Sequence, residues 1–234
     1  MSMQAVFILA LIISAVIGYL LGGVSWAIIL TRIVQRRDIR EQGSGNAGMT
    51  NVLRSVGKLP ALLTFAGDFI KCVIAVLLSQ LALYLLAMAF TDIAPGAELF
   101  RYTRYIAGTA CVVGHIFPIY YGFRGGKGIV TAAAMILLTD WRVFIAVILT
   151  FGLVFAWKKI MSLCSVTSAG MYPVCTFLIV FFMDYSRGFC GLEYLLFATG
   201  VSVFVGVLVM VKHRANIGRL MRGEEKPIIG TKSR

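Results

Sequence analysis

Gly43-Ser44-Gly45-Asn46-Ala47-Gly48-Met49-Thr50-Asn51-Val52-Leu53-Arg54 stands between two long apolar runs, residues 4–30 and 60–90. Gly43, Gly45 and Gly48 spell G-x-G-x-x-G, the fingerprint of a dinucleotide-binding βαβ unit. Context excludes that unit, because no strand precedes the glycines and no parallel βαβ crossover can be built around them. The flanking runs decide the fold instead. Each exceeds the roughly 20 helical residues of a bilayer crossing. Irregular backbone between such runs is tolerated only where it is buried in protein or lines a wet cavity. A turn of Gly, Ser and Asn closed by Arg54 offers many N–H donors and one guanidinium, which suits an anion, with phosphate the first candidate.

Composition extends this to the whole chain. Hydrophobic residues make up 59% of the 234 and charged ones 14%, far from soluble averages in both directions. An all-α integral membrane protein is expected. Further apolar runs at 105–121, 129–139, 143–157, 166–183 and 192–211 bring the count to about seven transmembrane helices, with 129–139 and 143–157 short for a crossing. The first run lacks a basic n-region and an A-x-A site, so it reads as a retained helix rather than a signal peptide.

Seven crossings place the ends on opposite sides, and lysine and arginine choose which. With the N-terminus outside and the C-terminus cytoplasmic, the outer segments hold Arg101, Arg104, Arg142 and Arg187. The first loop, the turn at 122–128, the segment at 158–165 and the tail to Arg234 carry nearly all the rest of the 22 Lys and Arg. This asymmetry is the positive-inside pattern. The net charge of +12 therefore encodes orientation, no nucleic-acid partner is expected, and the basic tail faces the anionic headgroups of the lipid bilayer. The chain reads as one membrane-embedded domain, residues 1–234, whose polar segments gather at one membrane face.

Other residues invite chemistry. Gly114-His115-Ile116-Phe117-Pro118 is followed by Gly122-Phe123-Arg124-Gly125-Gly126-Lys127-Gly128, a turn that joins free N–H groups, a helix start and an ammonium. It is no Walker A loop, since the spacing is one residue short and Gly128 replaces the magnesium-binding Ser or Thr. It serves either as a tight hairpin with an anchoring lysine or as a second wall of an anion pocket. Past the last span, His213 and Asn216 share a helix face at i, i+3. Asp68 and Lys71 lie inside an apolar run, where charges pair or face a wet cavity. Ser162 and Ser165 are helix caps or phosphate donors. Five scattered cysteines and two histidines give neither a disulfide framework nor a metal site.

Taken together, residues 43–54, the segment from Gly114 to Gly128, and His213-Arg214-Ala215-Asn216-Ile217-Gly218-Arg219-Leu220 ending in Gly223-Glu224-Glu225 resemble the three motifs of the bacterial acyl-phosphate:glycerol-3-phosphate acyltransferase (PlsY) family, in order and over nearly the whole chain. The sequence departs from the family at Gly22-Gly23-Val24-Ser25-Trp26, where Gly-Ser-Ile-Pro is common, and at Cys164, where a small glycine-like residue is usual. The resemblance implies a multi-pass protein of the bacterial plasma membrane, acting as a monomer at the cytoplasmic face without cofactor or metal. Its substrates would be a fatty acyl phosphate and glycerol 3-phosphate, its products lysophosphatidic acid and phosphate. By the same resemblance Ser44, Asn46, Arg54, Lys127, His213 and Asn216 are catalytic, and Gly45, Gly48, Asn51, His115, Gly126, Ser165 and Glu225 bind substrate.

An acyl phosphate already carries a good leaving group, so positioning and electrostatics suffice, with a substrate phosphate as candidate proton acceptor and no acyl-enzyme. Transfer from acyl-CoA or acyl carrier protein calls for His followed five residues on by Asp. Here His115 is followed at that spacing by Tyr120, and His213 by Gly218. A phosphate transporter is disfavoured by one-sided motifs and by the absence of internal repeat symmetry.

Overall fold

The computed structural model describes residues 1–91, 94–225 and 227. Among these every regular element is helical. They form two compact units, one ending at Thr139 and one starting at Asp140. Lys226, Lys232 and Arg234, which contribute to the basic tail, lie outside the described residues.

In the first unit, α1 (Met3–Gly22) starts at Ser2, whose Oγ accepts from Ala5 N. It buries Val6, Ala10, Ser14, Gly18 and Gly22, every fourth residue. That stripe packs on α5 (Ala97–Ile116). Gly18 and Gly22 press against the carbonyls of Ala107 and Cys111, and Gly114 presses against that of Tyr19, so closely that none has room for a Cβ. With lipid on the outside, such backbone approach replaces the hydrophobic effect as the force joining helices. The Tyr19 hydroxyl adds a hydrogen bond to Phe117 O at 2.9 Å.

The first apolar run does not continue as one helix. It stops at Gly22 and resumes as α2 (Trp26–Gln35). In an unbroken helix Val24 O would accept from Ile28 N. Here Ile28 N is capped by Ser25 Oγ at 3.5 Å, and Val24 O turns toward α4 (Lys58–Thr91). A short α3 (Met49–Ser55) leads into α4, and α6 (Ile129–Thr139) packs on both α4 and α5.

The second unit contains α7 (Trp141–Lys158), α8 (Met161–Val180), α9 (Leu192–Lys212) and α10 (Arg214–Met221). Asp140 caps α7, and Lys159 ends it in the left-handed region at φ 55. Helix α8 packs on α7, α9 and α10 and runs into a π-helical turn, Phe181–Tyr185. There Asp184 meets Arg142 in a two-point pair, Nη1–Oδ1 3.0 Å and Nη2–Oδ2 2.6 Å. Exposed Trp141 and Trp157 mark the two ends of α7, about 24 Å apart by helical rise, which suits the two headgroup boundaries of a bilayer.

Among the described residues, five segments are long and apolar enough to cross a membrane: Met3–Gln35, Lys58–Thr91, Trp141–Lys158, Met161–Tyr185 and Leu192–Lys212. The difference from the seven expected rests on two helices. Helix α5 is 20 residues long but carries Glu98, Arg101 and Arg104 near its start. Helix α6 has 11 residues, or roughly 16 Å of rise, against roughly 30 Å of hydrocarbon.

Candidate anion-binding turns and their supports

The turn at 43–48 is built around Asn51. Its buried side chain donates to the carbonyls of Ile39 (3.2 Å), Gln42 (2.9 Å) and Asn46 (3.1 Å), and its Oδ1 accepts from Ser44 N at 3.0 Å. Asn51 thus holds the turn in shape. Gly43 and Gly45 sit at φ 54 and 69, a region that favours glycine. Ser44 and Gly45 are exposed, Asn46 and Gly48 are half-buried, and Arg54, on α3, is exposed.

Arg40, just upstream, ties this turn to the second motif. Its Nε and Nη2 clasp Asp38 at 3.0 and 2.9 Å, while Nη1 donates to Tyr121 O at 2.7 Å and Arg124 O at 3.3 Å. The hydrogen bond from Arg40, helped by Arg32, holds the Asp38 carboxyl down at about 2, against a smaller upward push from burial. The same pairing raises the Arg40 guanidinium above its ordinary value. An open cavity of about 380 Å³ lies beside them, lined by Arg32, Asp38, Arg40, Glu41, Tyr120, Tyr121, Gly122 and Arg124.

The second motif folds back on the end of α5. Gly125 N and Gly126 N donate to the carbonyls of Ile116 (3.3 Å) and His115 (3.1 Å). Gly126 has no room for a side chain, because His115 Nε2 and the Ala47 carbonyl fill the space its Cβ would take. Lys127, half-buried, follows directly and precedes α6. Behind His115 lies a buried polar cluster. Lys71 Nζ donates to Val24 O at 2.7 Å, stands 2.9 Å from His115 Nδ1, and pairs with Asp68 Oδ1 at 2.9 Å. The last contact is an ion pair without an aligned hydrogen bond.

In the second unit the remaining residues cluster where α9 meets α10, with α10 packed on α8. His213 is buried and its Nδ1 lies 2.8 Å from Val209 O. A carbonyl only accepts, so Nδ1 carries the proton and a neutral ring keeps its lone pair on Nε2. Asn216 Nδ2 donates to Glu225 Oε1 at 2.6 Å, and Arg219 reaches the same oxygen through Nε (3.1 Å) and Nη2 (2.8 Å). Glu225 therefore fastens the chain after α10 to its polar face. Ser165 donates to Met161 O at 2.8 Å within α8, whereas the buried Ser162 Oγ has no hydrogen-bond partner among the described residues.

The structure brings Ser44, Gly45, Asn46, Gly48, Asn51, Arg54, His115, Gly126 and Lys127 together within the first unit, and Ser165, His213, Asn216 and Glu225 within the second. Sequence reasoning missed Asp38, Arg40 and the Val24 carbonyl. The readable signal was Asp38-Ile39-Arg40 immediately before the glycine-rich turn, since two opposite charges flanking one apolar residue suit a local clasp.

Fold and turns define a multi-pass helical membrane protein whose glycine-rich loops are braced by arginine, histidine and buried amide groups. The chain belongs to the glycerol-3-phosphate acyltransferase family, whose model matches residues 12–223. It is 38% identical over 221 residues to the glycerol-3-phosphate acyltransferase of Clostridioides difficile (strain 630), covering 94% of this chain and 97% of that one. It is also similar to crystal structures of PlsY, an integral membrane glycerol 3-phosphate acyltransferase. The glycerol 3-phosphate form has a TM-score of 0.69 at 30% identity, covering 93% of this chain and 95% of the other. The lysophosphatidic acid form has a TM-score of 0.67 at 29% identity, covering 93% and 94%.

Proposed function

We propose that this protein transfers a fatty acyl group from acyl phosphate to the 1-hydroxyl of glycerol 3-phosphate, the first step of bacterial phospholipid synthesis. The hydroxyl oxygen bonds to the acyl carbon, the bond to the phosphate oxygen breaks, and lysophosphatidic acid and inorganic phosphate leave. The observation that carries this reading is the bracing of two glycine-rich turns on each other by Arg40 and by the His115–Gly126–Ala47 contact. It gives one small protein adjacent surfaces for phosphate-bearing substrates.

Arg54, Ser44, Asn46 and Lys127 supply charge and donors to the phosphates, with Gly45, Gly48 and Gly126 letting the backbone approach and Asn51 holding the first turn in shape. Within the second unit taken by itself, His213, Asn216 and Ser165 offer polar groups suited to a phosphate, and Glu225 positions Asn216. No acyl-enzyme forms. Alignment of two reactants supplies roughly 7–11 kcal/mol, and donors aimed at the oxyanion and leaving phosphate about 3 kcal/mol each. A substrate phosphate takes the hydroxyl proton. Neither cofactor nor metal takes part.

The protein acts as a monomeric, single-domain enzyme over residues 1–234. It crosses the bacterial plasma membrane an odd number of times, with the N-terminus outside and the active site and C-terminus cytoplasmic. The test uses purified protein, glycerol 3-phosphate and palmitoyl phosphate, with palmitoyl-CoA run in parallel and a chelator present. Lysophosphatidic acid forms from the phosphate donor and resists the chelator. Product from the CoA donor alone, a strict need for metal, or an acyl-enzyme trapped by acid quench would each overturn the reading.

A further inference from the structure

Asp68 and Lys71 lie on α4 against His115, on which the 125–128 turn folds back. Lys71 has three protons and no acceptor. It faces a carbonyl oxygen (Val24), an imidazole nitrogen (His115 Nδ1) and a carboxylate (Asp68), all within 2.9 Å. Paired with a carboxylate, the amine is an ammonium that donates to His115 Nδ1 at 2.9 Å, nearer to that nitrogen than Asp68 Oδ1 at 3.5 Å. A neutral His115 is then the Nε2–H tautomer. The Nε2 edge is the one that presses on Gly126 beside the Ala47 carbonyl. His213 has the opposite arrangement, its Nδ1 donating to Val209 O.

We infer that Asp68 and Lys71 are positioning residues. By fixing the tautomer and ring orientation of His115, they hold the Gly125-Gly126-Lys127 turn against the 43–48 turn, so that Lys127 is presented in register with Ser44 and Asn46. The helix break at Gly23–Ser25 belongs to the same device, because it frees the Val24 carbonyl that anchors Lys71. The kinetic consequence rests on the acyl-transfer reading, but the tautomer does not.

The chain has two histidines, which makes ¹⁵N-histidine NMR of the purified protein decisive, with His213→Asn assigning the signals. The expected spectrum shows His115 protonated on Nε2 with a lone pair on Nδ1, and His213 the reverse. A His115 imidazolium, or a proton on its Nδ1, overturns the inference whatever the activity. Replacing both charges together, Asp68→Asn with Lys71→Met, avoids leaving one charge orphaned. If folded, that double variant mixes the His115 tautomers and lowers kcat roughly 10- to 100-fold, the scale of a small misplacement, with KM for glycerol 3-phosphate changed less than about threefold. An unchanged kcat, or a loss confined to KM, refutes the positioning role. Should the double variant fail to fold, Lys71→Arg replaces it. The longer fork displaces His115, and full activity with the wild-type spectrum would equally refute the role. Wild-type protein that shows the expected tautomers but no acyl transfer counts against the proposed function and leaves the tautomer lock standing.

Discussion

Asn51 meets three carbonyls with two amide protons and gives its own oxygen to Ser44 N, so truncating it strands several buried groups at once. Each unsatisfied group costs about 1–3 kcal/mol, partly relieved where the turn opens to water. Asn51→Ala is expected to lose roughly 2–3 kcal/mol, read as a lower thermal midpoint in detergent together with weaker glycerol 3-phosphate binding. A midpoint within a degree of wild type would refute this. Asp38 gives a pH signature. Its folded value of about 2 lies below its ordinary 3.8, so the clasp with Arg40 favours the fold fully above pH 3.8 and fades as pH falls toward 2. Asp38→Asn removes that dependence. The stability gap between wild type and variant should close over this acid window and stay constant from pH 5 to 7.

Among the helices, much was readable because apolar runs are direct signals of membrane segments. Run 129–139 reappears as α6, 60–90 as α4 and 192–211 as α9 to within a few residues. The break after Gly22 was not readable, since Gly22-Gly23-Val24-Ser25 contains nothing polar enough to interrupt a hydropathy profile. What marks the break is a cap and a distant lysine, both tertiary facts. The part Asn51 plays in shaping the turn was hidden for a related reason. An Asn in a glycine-rich turn suits a ligand and a backbone carbonyl equally well, and only the closure of the turn decides. The small-residue stripe of α1 carries a prediction at this scale. Gly22→Ala forces a methyl into the Cys111 carbonyl, so α1 and α5 must separate, and the folded yield in membranes should fall several-fold. Gly200→Ala, which meets open space, is its control. Equal yields for the two would show that the close approach is dispensable.

For the molecule as a whole, the proposed orientation assigns each loop a face. In a chain whose five cysteines are replaced, an impermeant maleimide added to intact cells should label Arg187→Cys readily and Arg124→Cys only after lysis. The reverse pattern would invert the orientation proposed from the charge asymmetry. One further consequence concerns how the molecule is made. Asp68 and Lys71 lie on one helix at i, i+3, and α4 holds both ahead of α5, which supplies His115. The growing chain can therefore release α4 into lipid with its two interior charges already paired, before His115 has been synthesised. A lysine compensated from another helix would have to wait, unpaired, for its partner to be translated.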